Sequence, residues 1–236
     1  MIVALMQPYF FPYIGYFQLM KAVDCFVFYD DAQYMKGGWV NRNRILHDGA
    51  PAWWTHPVER NDYRLPIRER RYARSAARTS ALVAKLDGAY RAAPFFGPIV
   101  AMAVDYLESG PDTVSSFNQA HLEGIARGLG IDCAFVPSSQ LDYDRELDAQ
   151  SRVIDLCRRL GASTYLNATG GSGLYDADAF ARAGLELGFV HPRVTSYPQL
   201  GRPHVPFLSI IDVLMFNSPE QATAMLGGYD VVRPAP

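Results

Sequence analysis

The chain has 236 residues and a formal net charge of -2, from 22 basic and 24 acidic side chains. This balance gives no overall attraction for a polyanion, so we expect neither a nucleic-acid partner nor a polybasic membrane binder. Hydrophobic residues make up 49% of the chain and charged residues 19%, which is enough apolar material for a buried core and excludes a disordered linker.

The cysteines and histidines show no pattern typical of a disulfide framework or a metal site. Cys25, Cys133 and Cys157 are odd in number and share no paired spacing, so we interpret them as small buried hydrophobes. The five histidines form no HxH or HExxH pattern, and we predict no metal. The chain starts in an apolar strand without a signal-peptide pattern, and no apolar run reaches about 18 residues. We expect a cytoplasmic protein.

The first 30 residues predict a unit of strand, helix and strand. Residues 2–6 form a continuous apolar run that indicates a parallel strand buried on both faces. Residues 13–22 have helical periodicity, and residues 25–29 are a second apolar run. This length is typical of a βαβ unit. Ligands gather beyond the carboxyl ends of such strands, where Gln7 and the Asp30–Asp31 pair lie.

Strands and helices alternate through the rest of the chain. We predict a two-strand hairpin over 39–46 and 52–58 and further strands over 131–136, 163–167 and 185–190. We predict helices over 68–86, 94–108, 112–129, 145–160 and 176–183, and a short apolar helix at the end of 200–217. We predict the α/β class: a mostly parallel Rossmann-like sheet flanked by helices. All 236 residues should form a single domain, with a helical insertion at 66–115 and a loose tail at 232–236.

The segment QPYFFPYIGY, residues 7–16, is the first that could carry chemistry. It joins a strand to a helix, where nucleotide-binding folds hold phosphate at the helix N-terminus. Tyr13, Gly15 and Tyr16 have the spacing of the nucleotidylyltransferase signature HxGH, with tyrosines replacing both histidines. Tyrosine is not cationic at neutral pH, which counts against adenylyl transfer by the usual device. A rigid turn with aromatic packing is the alternative interpretation.

The second segment is DDAQYMKGGWVNRNR, residues 30–44. Its carboxylates, amides and cations suit an anion and a polar substrate, because arginine presents a planar fork to carboxylate or phosphate. On a strand, Asn41 and Asn43 share one face while Arg42 and Arg44 share the other, so the four side chains cannot all enter one pocket. A solvated hairpin with surface charges is the alternative.

Three more features lie near predicted strand ends. The glycine-rich loop in YLNATGGSGLY, residues 165–175, lets backbone amides approach an oxyanion, although it is not a Walker A loop. Ser138 and Ser139 follow another strand and could bind ligand oxygens. His56 and His204 lie next to or near proline in apolar surroundings, as candidate general bases or structural histidines. No GxSxG pattern supports a hydrolase triad.

Long segments of the chain resemble the WbqC-like family: QPYFFPYIGYF, ADCFVFYDDAQYMKGGWVNRNRI, YLNATGGSGLYD, SYPQL and FLSIIDVLMFN. Family members occur in O-antigen and specialised-metabolite clusters. The resemblance implies acyl or aminoacyl transfer, including glycyl transfer, to an amine on a sugar or a specialised-metabolite scaffold. This chain departs from the family pattern at 166–169, where a shorter serine-glycine turn is expected, and at His56 and His204, where apolar residues are expected.

We expect the site beyond the carboxyl ends of the strands, with the 169–175 loop as one wall. Asp31 or His204 is the candidate general base, and Lys36 or Asn41 a candidate oxyanion donor. Candidates for substrate binding, some of which rest on the family pattern alone, are Gln7, Tyr16, Gln33, Arg42, Asn43, Ser139, Asn167, Gly171, Ser172, Tyr175 and Gln199.

Several functions stay open at this point. The first is acyl transfer, which requires no cofactor and joins a small-molecule acceptor to an activated acyl donor, either soluble or bound to a carrier protein. The second is an ATP-dependent adenylating ligase, favoured by the βαβ start and disfavoured by the missing histidines. The third is a non-catalytic scaffold with the apolar helix near 207–216 as its interface. A cysteine-based enzyme is the weakest alternative, and the sequence does not indicate an oligomeric state.

Overall fold

The computed structural model describes residues 1–62, 64–201 and 203–234. The strands are β1 (Ile2–Met6), β2 (Cys25–Phe28), β3 (Arg42–His47), β4 (Ala50–Thr55), β5 (Ala134–Pro137), β6 (Thr164–Ala168), β7 (Glu186–Pro192) and β8 (Tyr229–Val232). The α-helices are α1 (Ile14–Lys21), α2 (Ala76–Tyr90), α3 (Phe96–Ser109), α4 (Val114–Gly128), α5 (Ala149–Arg159), α6 (Ala177–Arg182), α7 (Ile210–Phe216) and α8 (Pro219–Met225).

Six strands form one sheet in the order β5-β2-β1-β6-β7-β8, while β3 and β4 form a separate antiparallel hairpin. Strand β1 pairs in parallel with β2 on one side and β6 on the other, and β8 runs antiparallel to β7. With the hairpin set aside, this is the Rossmann order 3-2-1-4-5-6. The predicted α/β class is therefore confirmed. The strand order reverses between β1 and β6, so their carboxyl ends form the topological switch point.

Alternate side chains of the central strands face two separate core layers. Ala4 of β1 and Phe26 of β2 pack in the larger layer with helices α1 to α4 and α7. Val3 and Leu5 pack in the smaller layer with α5 and α6. This two-sided burial is what the apolar run of β1 predicts. All three cysteines are buried and unpaired, which confirms their interpretation as core residues.

The region predicted as one long helix from residue 68 starts later than expected. Residues Ile67–Glu69 form a short 3-10 turn, and α2 begins after Ser75, whose side chain accepts a hydrogen bond from the Arg78 amide. The chain between them pairs instead with the segment before α4, where the Val114 amide donates to the Arg70 carbonyl at 2.8 Å. A long-range contact therefore displaces the local helical preference.

Two C-terminal elements, α8 and β8, are absent from the sequence interpretation. Helix α8 has a capping box between Ser218 and Gln221. Val232, predicted to begin a loose tail, instead ends β8 and pairs with Phe189 of β7. The strand is short and mostly exposed, so its hydrogen bonds to β7 rather than its own hydrophobic pattern define it. Residues 235–236 of that predicted tail lie outside the described residues.

Within the described ranges, none of the helices combines the length and apolar character that crossing a bilayer requires. The apolar helix α7, considered above as an interface, has residues 210–215 buried in the protein's own core.

The loop after β1 is buried, and side chains from distant elements bind its backbone. Asn118 of α4 donates from Nδ2 to the Pro8 carbonyl at 2.8 Å. The Phe10 amide donates to the Trp39 carbonyl at 3.1 Å, and Asn43 of β3 donates to the Phe10 carbonyl at 3.1 Å. These partners satisfy the Pro8 carbonyl and both backbone polar groups of Phe10, as burial away from water requires.

Phe11 is the most constrained residue of this loop, with a positive φ of 40°. Its amide donates to His121 Nε2 at 3.4 Å, and Ser209 Oγ donates to its carbonyl at 2.7 Å. Its ring stacks on the His121 imidazole with centroids 4.0 Å apart. Such a φ is unfavourable for a bulky residue, so these contacts from α4 and from the start of α7 hold the loop in place.

Acid should destabilise the fold because two buried histidines are neutral. Burial lowers the pKa of His121 well below its usual value, and burial with nearby Arg74 lowers the pKa of His56 to about 4. The unfolded chain takes up these protons near pH 6.5 and the folded chain only at lower pH, so the contribution of these histidines to the free energy of unfolding is constant above that pH and falls below it. From His56 alone we expect a loss of about 3 kcal/mol by pH 4.

Urea unfolding between pH 7.5 and 4.5 measures this slope. A His56→Gln variant should show a shallower dependence than the wild type, whatever its stability at pH 7.5. His47→Gln, which changes an exposed histidine, should keep the full slope. Equal slopes in the wild type and His56→Gln would contradict the assignment.

A substitution at Gly15 tests the close approach between α1 and the end of β7. A Cβ built at Gly15 would collide with the Tyr13 ring and lie 2.7 Å from Pro192 Cγ. We expect Gly15→Ala to lower the free energy of unfolding by about 1–3 kcal/mol, a typical cost of overpacking. Gly88→Ala in α2 meets no atom within 4 Å and should stabilise the protein by about 0.5–1 kcal/mol. If both variants are equally stable in urea, the contact is not a constraint.

Candidate functional site

A cavity of about 620 Å³ opens at the carboxyl ends of β1, β6 and β7. Its lining residues are Tyr9, Pro12, Tyr13, Trp39, Asn43, Arg44, Thr169, His191, Pro192, Arg193, Val194 and Phe207. Open parallel sheets bind ligands at this place, and the volume lies within the range of small-molecule sites. We call it the switch-point cavity.

His191 follows the buried part of β7 and lines this cavity in a defined orientation. The Thr169 hydroxyl donates to the Val190 carbonyl at 2.8 Å, and Thr169 Oγ1 lies 3.3 Å from His191 Nδ1. A hydroxyl has a single hydrogen, so Thr169 must accept at the second contact. The neutral imidazole therefore carries its proton on Nδ1 and keeps the Nε2 lone pair. Because His191 is exposed, Nε2 can take a proton from a bound group.

Two guanidinium groups make the cavity cationic. Arg44 lies over the Trp39 ring at 5.5 Å and donates from Nη2 to the Phe207 carbonyl at 3.4 Å, while its buried Nε has no partner. Arg193 also lines the cavity. Its guanidinium lies 3.6 Å from the Asp230 carboxylate, which is not part of the lining. None of the described lining residues is acidic. An oxyanion, phosphate or carboxylate is the group that such a site favours.

The start of α1 does not form an open phosphate cradle. The Tyr13 ring occupies the space next to Gly15 at the first turn of α1. Tyr16, predicted to bind substrate, is 2% exposed, and its hydroxyl donates to the Gln7 carbonyl at 2.8 Å. Tyr16 therefore presents no hydroxyl above the helix N-terminus, while Tyr13 lines the switch-point cavity. Gln7 itself lies at the end of β1, outside the lining of the cavity.

Asp31, a predicted general base, belongs to a network at the ends of β2 and β5. Its carboxylate accepts from the Tyr143 hydroxyl at 2.7 Å and from Arg145 Nε at 2.9 Å, and its side chain is 6% exposed. The adjacent Asp30 accepts from both the amide and the hydroxyl of Ser139, at 2.9 and 2.8 Å. Asp30, Asp31, Ser139, Tyr143 and Arg145 thus form a hydrogen-bonded cluster, which we call the clamp. None of these residues lines the switch-point cavity.

Four other predicted residues line a second opening of about 880 Å³ beside the β3–β4 hairpin: Gln33, Lys36, Asn41 and Arg42. We call this opening the hairpin groove. The Asn41 side chain is 8% exposed, accepts from the Tyr34 hydroxyl and donates to the His56 carbonyl, both at 2.9 Å. The donor and acceptor of the Asn41 side chain therefore both have partners within the wall of the groove.

Asn43 and Asn167 also form hydrogen bonds within the protein. Asn43 lines the switch-point cavity, but it donates to the loop after β1 and accepts from its own neighbour, the Arg44 amide, at 2.8 Å. Asn167 is 6% exposed and donates to the hydroxyls of Tyr165 and Tyr175 at 3.0 and 3.1 Å. These contacts fix the turn Thr169–Leu174, of which Thr169 alone lines the cavity, while Gly171 and Ser172 do not.

Gln199 and His204 lie on residues 193–201 and 203–208, which we call the strap. Gln199 is fully buried, donates to the Asp212 carboxylate at 2.6 Å and accepts from the Val205 amide at 2.6 Å. His204 packs against Tyr197 and lines a void of about 30 Å³, which is too small for a substrate. The structure thus separates the predicted residues into the clamp, the hairpin groove, the switch-point cavity and the strap.

His191 and Arg193 were not predicted as site residues. Both come at the end of β7, and the rule that drew attention to Gln7 at the end of β1 applies to them equally. The contact that orients His191 joins β7 to the turn after β6, 22 positions away in the chain, so no local spacing reveals it.

Comparison with known proteins identifies relatives of the chain. The model of the WbqC-like protein family matches residues 7–224. An uncharacterized protein of Mycobacterium tuberculosis is 31% identical over 223 residues, which cover 91% of this chain and 93% of that protein. No solved structure matches the chain.

The strap forms one wall of the cavity, and a buried carboxylate holds it. Asp212 of α7 accepts from the Tyr197 hydroxyl and the Gln199 amide of the strap, and from the Tyr90 hydroxyl at 2.9 Å. Burial raises the pKa of Asp212, and these three donors oppose that shift. The carboxylate therefore connects the strap to α2 and α7.

Asp212→Ala would leave two buried donors, Tyr90 and Gln199, and the half-buried Tyr197 hydroxyl without their acceptor. We expect the free energy of unfolding to fall by about 2–4 kcal/mol and hydrogen exchange in the strap to accelerate. Asp142→Ala, which removes a fully exposed carboxylate 3.3 Å from Arg159, should change stability by less than about 1 kcal/mol. Unchanged exchange in the strap of Asp212→Ala would show that this carboxylate does not hold it.

Proposed function

We propose that this chain, which belongs to the WbqC-like protein family, transfers an acyl or aminoacyl group, such as glycyl, to the amine of a sugar or a specialised-metabolite scaffold. The observation that carries the proposal is the position of His191, whose Nδ1 lies 3.3 Å from Thr169 Oγ1 at a cationic cavity of the topological switch point. The proposed site thus combines a general base with groups that bind negative charge.

The proposed step forms an amide. The neutral acceptor amine attacks the carbonyl carbon of the activated donor, and His191 Nε2 takes the proton that the nitrogen loses. The carbonyl electron pair moves to oxygen, and the tetrahedral intermediate then expels the leaving group as the C–N bond is kept. The imidazolium returns its proton to the leaving group. No oxidant or reductant takes part.

Arg44 and Arg193 supply positive charge for this step. Arg44 has a buried Nε–H without a partner and donates to the Phe207 carbonyl, while Arg193 donates to the Tyr229 carbonyl and lies 3.6 Å from the Asp230 carboxylate. Such donors stabilise an oxyanion or an anionic leaving group without rearrangement during the reaction. The rings of Tyr9, Tyr13 and Trp39 give the acceptor an aromatic surface with hydroxyl groups at its edge.

The alternatives have less support. An ATP-dependent ligase needs an open phosphate site at α1, and the Tyr13 ring occupies that space. A scaffold protein with α7 as its interface would expose that helix, whereas residues 210–215 are buried. The proposal therefore uses no cofactor, and its partners are a small-molecule acceptor and an activated acyl donor in the cytoplasm, with no nucleic acid or membrane.

A transfer assay with acyl and aminoacyl thioesters and a panel of amino sugars and other amines, read by mass spectrometry, tests the proposal. We expect amide formation, reduced about 10²–10⁴-fold in His191→Gln, because the variant has no basic nitrogen at this position. Thr169→Val should reduce the rate less, since the base remains but its tautomer is no longer set.

His47→Gln is the matched control, since His47 is exposed and lies at the end of the hairpin away from the cavity lining. It should keep the wild-type rate. Circular dichroism and urea unfolding establish that each variant is folded. If the panel gives no amide product, or if folded His191→Gln is fully active, the proposed mechanism is wrong.

A further inference from the structure

The hairpin groove has an excess of positive charge that the proposed chemistry of the switch-point cavity does not use. Its lining residues include four cations, Lys36, Arg42, Arg60 and Arg70, and one carboxylate, Glu59. None of these cations forms an ion pair with a described residue. Elsewhere in the described chain, arginines such as Arg71 and Arg91 have carboxylate partners. The net positive charge of the groove therefore favours the binding of an anionic ligand.

Arg70 is the buried member of this set. It is 6% exposed, and its Nη1 and Nη2 donate to the carbonyls of Asp62 and Glu59 at 2.8 and 2.9 Å. Its guanidinium packs over the Tyr34 ring at 4.9 Å, and its Nε has no partner. Buried donors normally have an acceptor, and a guanidinium keeps its charge at any physiological pH. The wall of the groove thus holds a fixed positive charge in a desolvated position.

The groove and the switch-point cavity share one face of the hairpin. Arg42 lines the groove and Arg44 lines the cavity, and side chains two positions apart on a strand point the same way, about 7 Å from each other. Trp53 pairs with Arg44 across the hairpin, stacks under Arg42 at 3.9 Å, and lies 5.3 Å from the Trp39 ring. A continuous surface of indole and guanidinium groups therefore joins the two openings.

We propose that the hairpin groove binds the phosphate ester of the acyl donor, while the reactive acyl end reaches His191 in the switch-point cavity. This inference rests on the proposed function, and it assigns the donor to a class with a phosphate at one end. Phosphate suits the groove because it carries up to two charges and accepts from several guanidinium and ammonium donors at once. The exposed indoles between the openings pack against the middle of the ligand.

Binding measurements with coenzyme A, 4′-phosphopantetheine, pyrophosphate and pantetheine test this inference, read by calorimetry and by the fluorescence of the indoles near the groove. The first three probes carry phosphate and pantetheine does not. We expect at least one phosphate probe to bind 10-fold or more tightly than pantetheine, with an affinity that falls as salt increases. If coenzyme A has the highest affinity, the donor is linked to a nucleotide. If 4′-phosphopantetheine binds with equal affinity, the donor is tethered to a carrier protein.

A double charge reversal on exposed groove residues, Lys36→Glu with Arg60→Glu, should weaken the phosphate probes at least 10-fold and leave pantetheine unchanged. Both side chains are exposed, so the variant should fold. Arg158→Glu reverses a charge on α5, which packs on the opposite face of the sheet, and should bind like the wild type. If no phosphate probe binds better than pantetheine, or if the double variant binds phosphate probes normally, the inference is wrong.

The same variants distinguish this inference from the proposed function. His191→Gln should bind the phosphate probes normally even though it loses transfer. If transfer depends on His191 but not on the groove charges, the donor site lies elsewhere and the proposed function stands. If the phosphate probes bind in the groove and no amide forms with any acceptor, the groove assignment stands and the proposed function fails.

Discussion

Burial of the irregular loop after β1 is the constraint on which the rest of the structure depends. Irregular backbone can be buried only where its polar groups have partners, and here those partners come from the hairpin, α4 and the start of α7. The Phe11 carbonyl and amide are bonded to two elements that lie far apart in the chain. One loop thereby fastens the hairpin and the helical region to the carboxyl end of the sheet, and this arrangement builds the walls of the switch-point cavity.

The same loop also changes the first turn after β1 that a Rossmann-like strand order normally leaves open. In nucleotide-binding folds, the first turn after β1 is open to the ligand at the N-terminus of a helix. In this chain that turn is filled by aromatic side chains, with Phe10 and Phe11 buried and the Tyr13 ring against Gly15. The switch-point cavity lies instead toward β6 and β7, where Thr169 Oγ1 lies 3.3 Å from His191 Nδ1.

Local patterns predicted the strands other than β8 and the class of fold, because a buried parallel strand such as β1 is a continuous apolar run. They also predicted the alternation of Asn43 with Arg42 and Arg44, which the structure confirms as one buried and two half-buried side chains. Position in the fold was harder to predict. Asp31 and Asn41 form hydrogen bonds with Tyr143 and with the His56 carbonyl, which no local pattern predicts. The contact between Thr169 and His191 exists only because β6 and β7 are neighbours in the sheet.

The protonation state of His191 tests the central claim most directly, because the claim needs no knowledge of the substrate. Nitrogen-15 NMR of the labelled protein at a pH where the imidazole is neutral, with His191→Gln to assign the signals, reports which ring nitrogen carries the proton. The account predicts a protonated Nδ1 and an unprotonated Nε2, since the Thr169 hydroxyl is committed to the Val190 carbonyl. A protonated Nε2 would leave no base facing the switch-point cavity and would contradict the account.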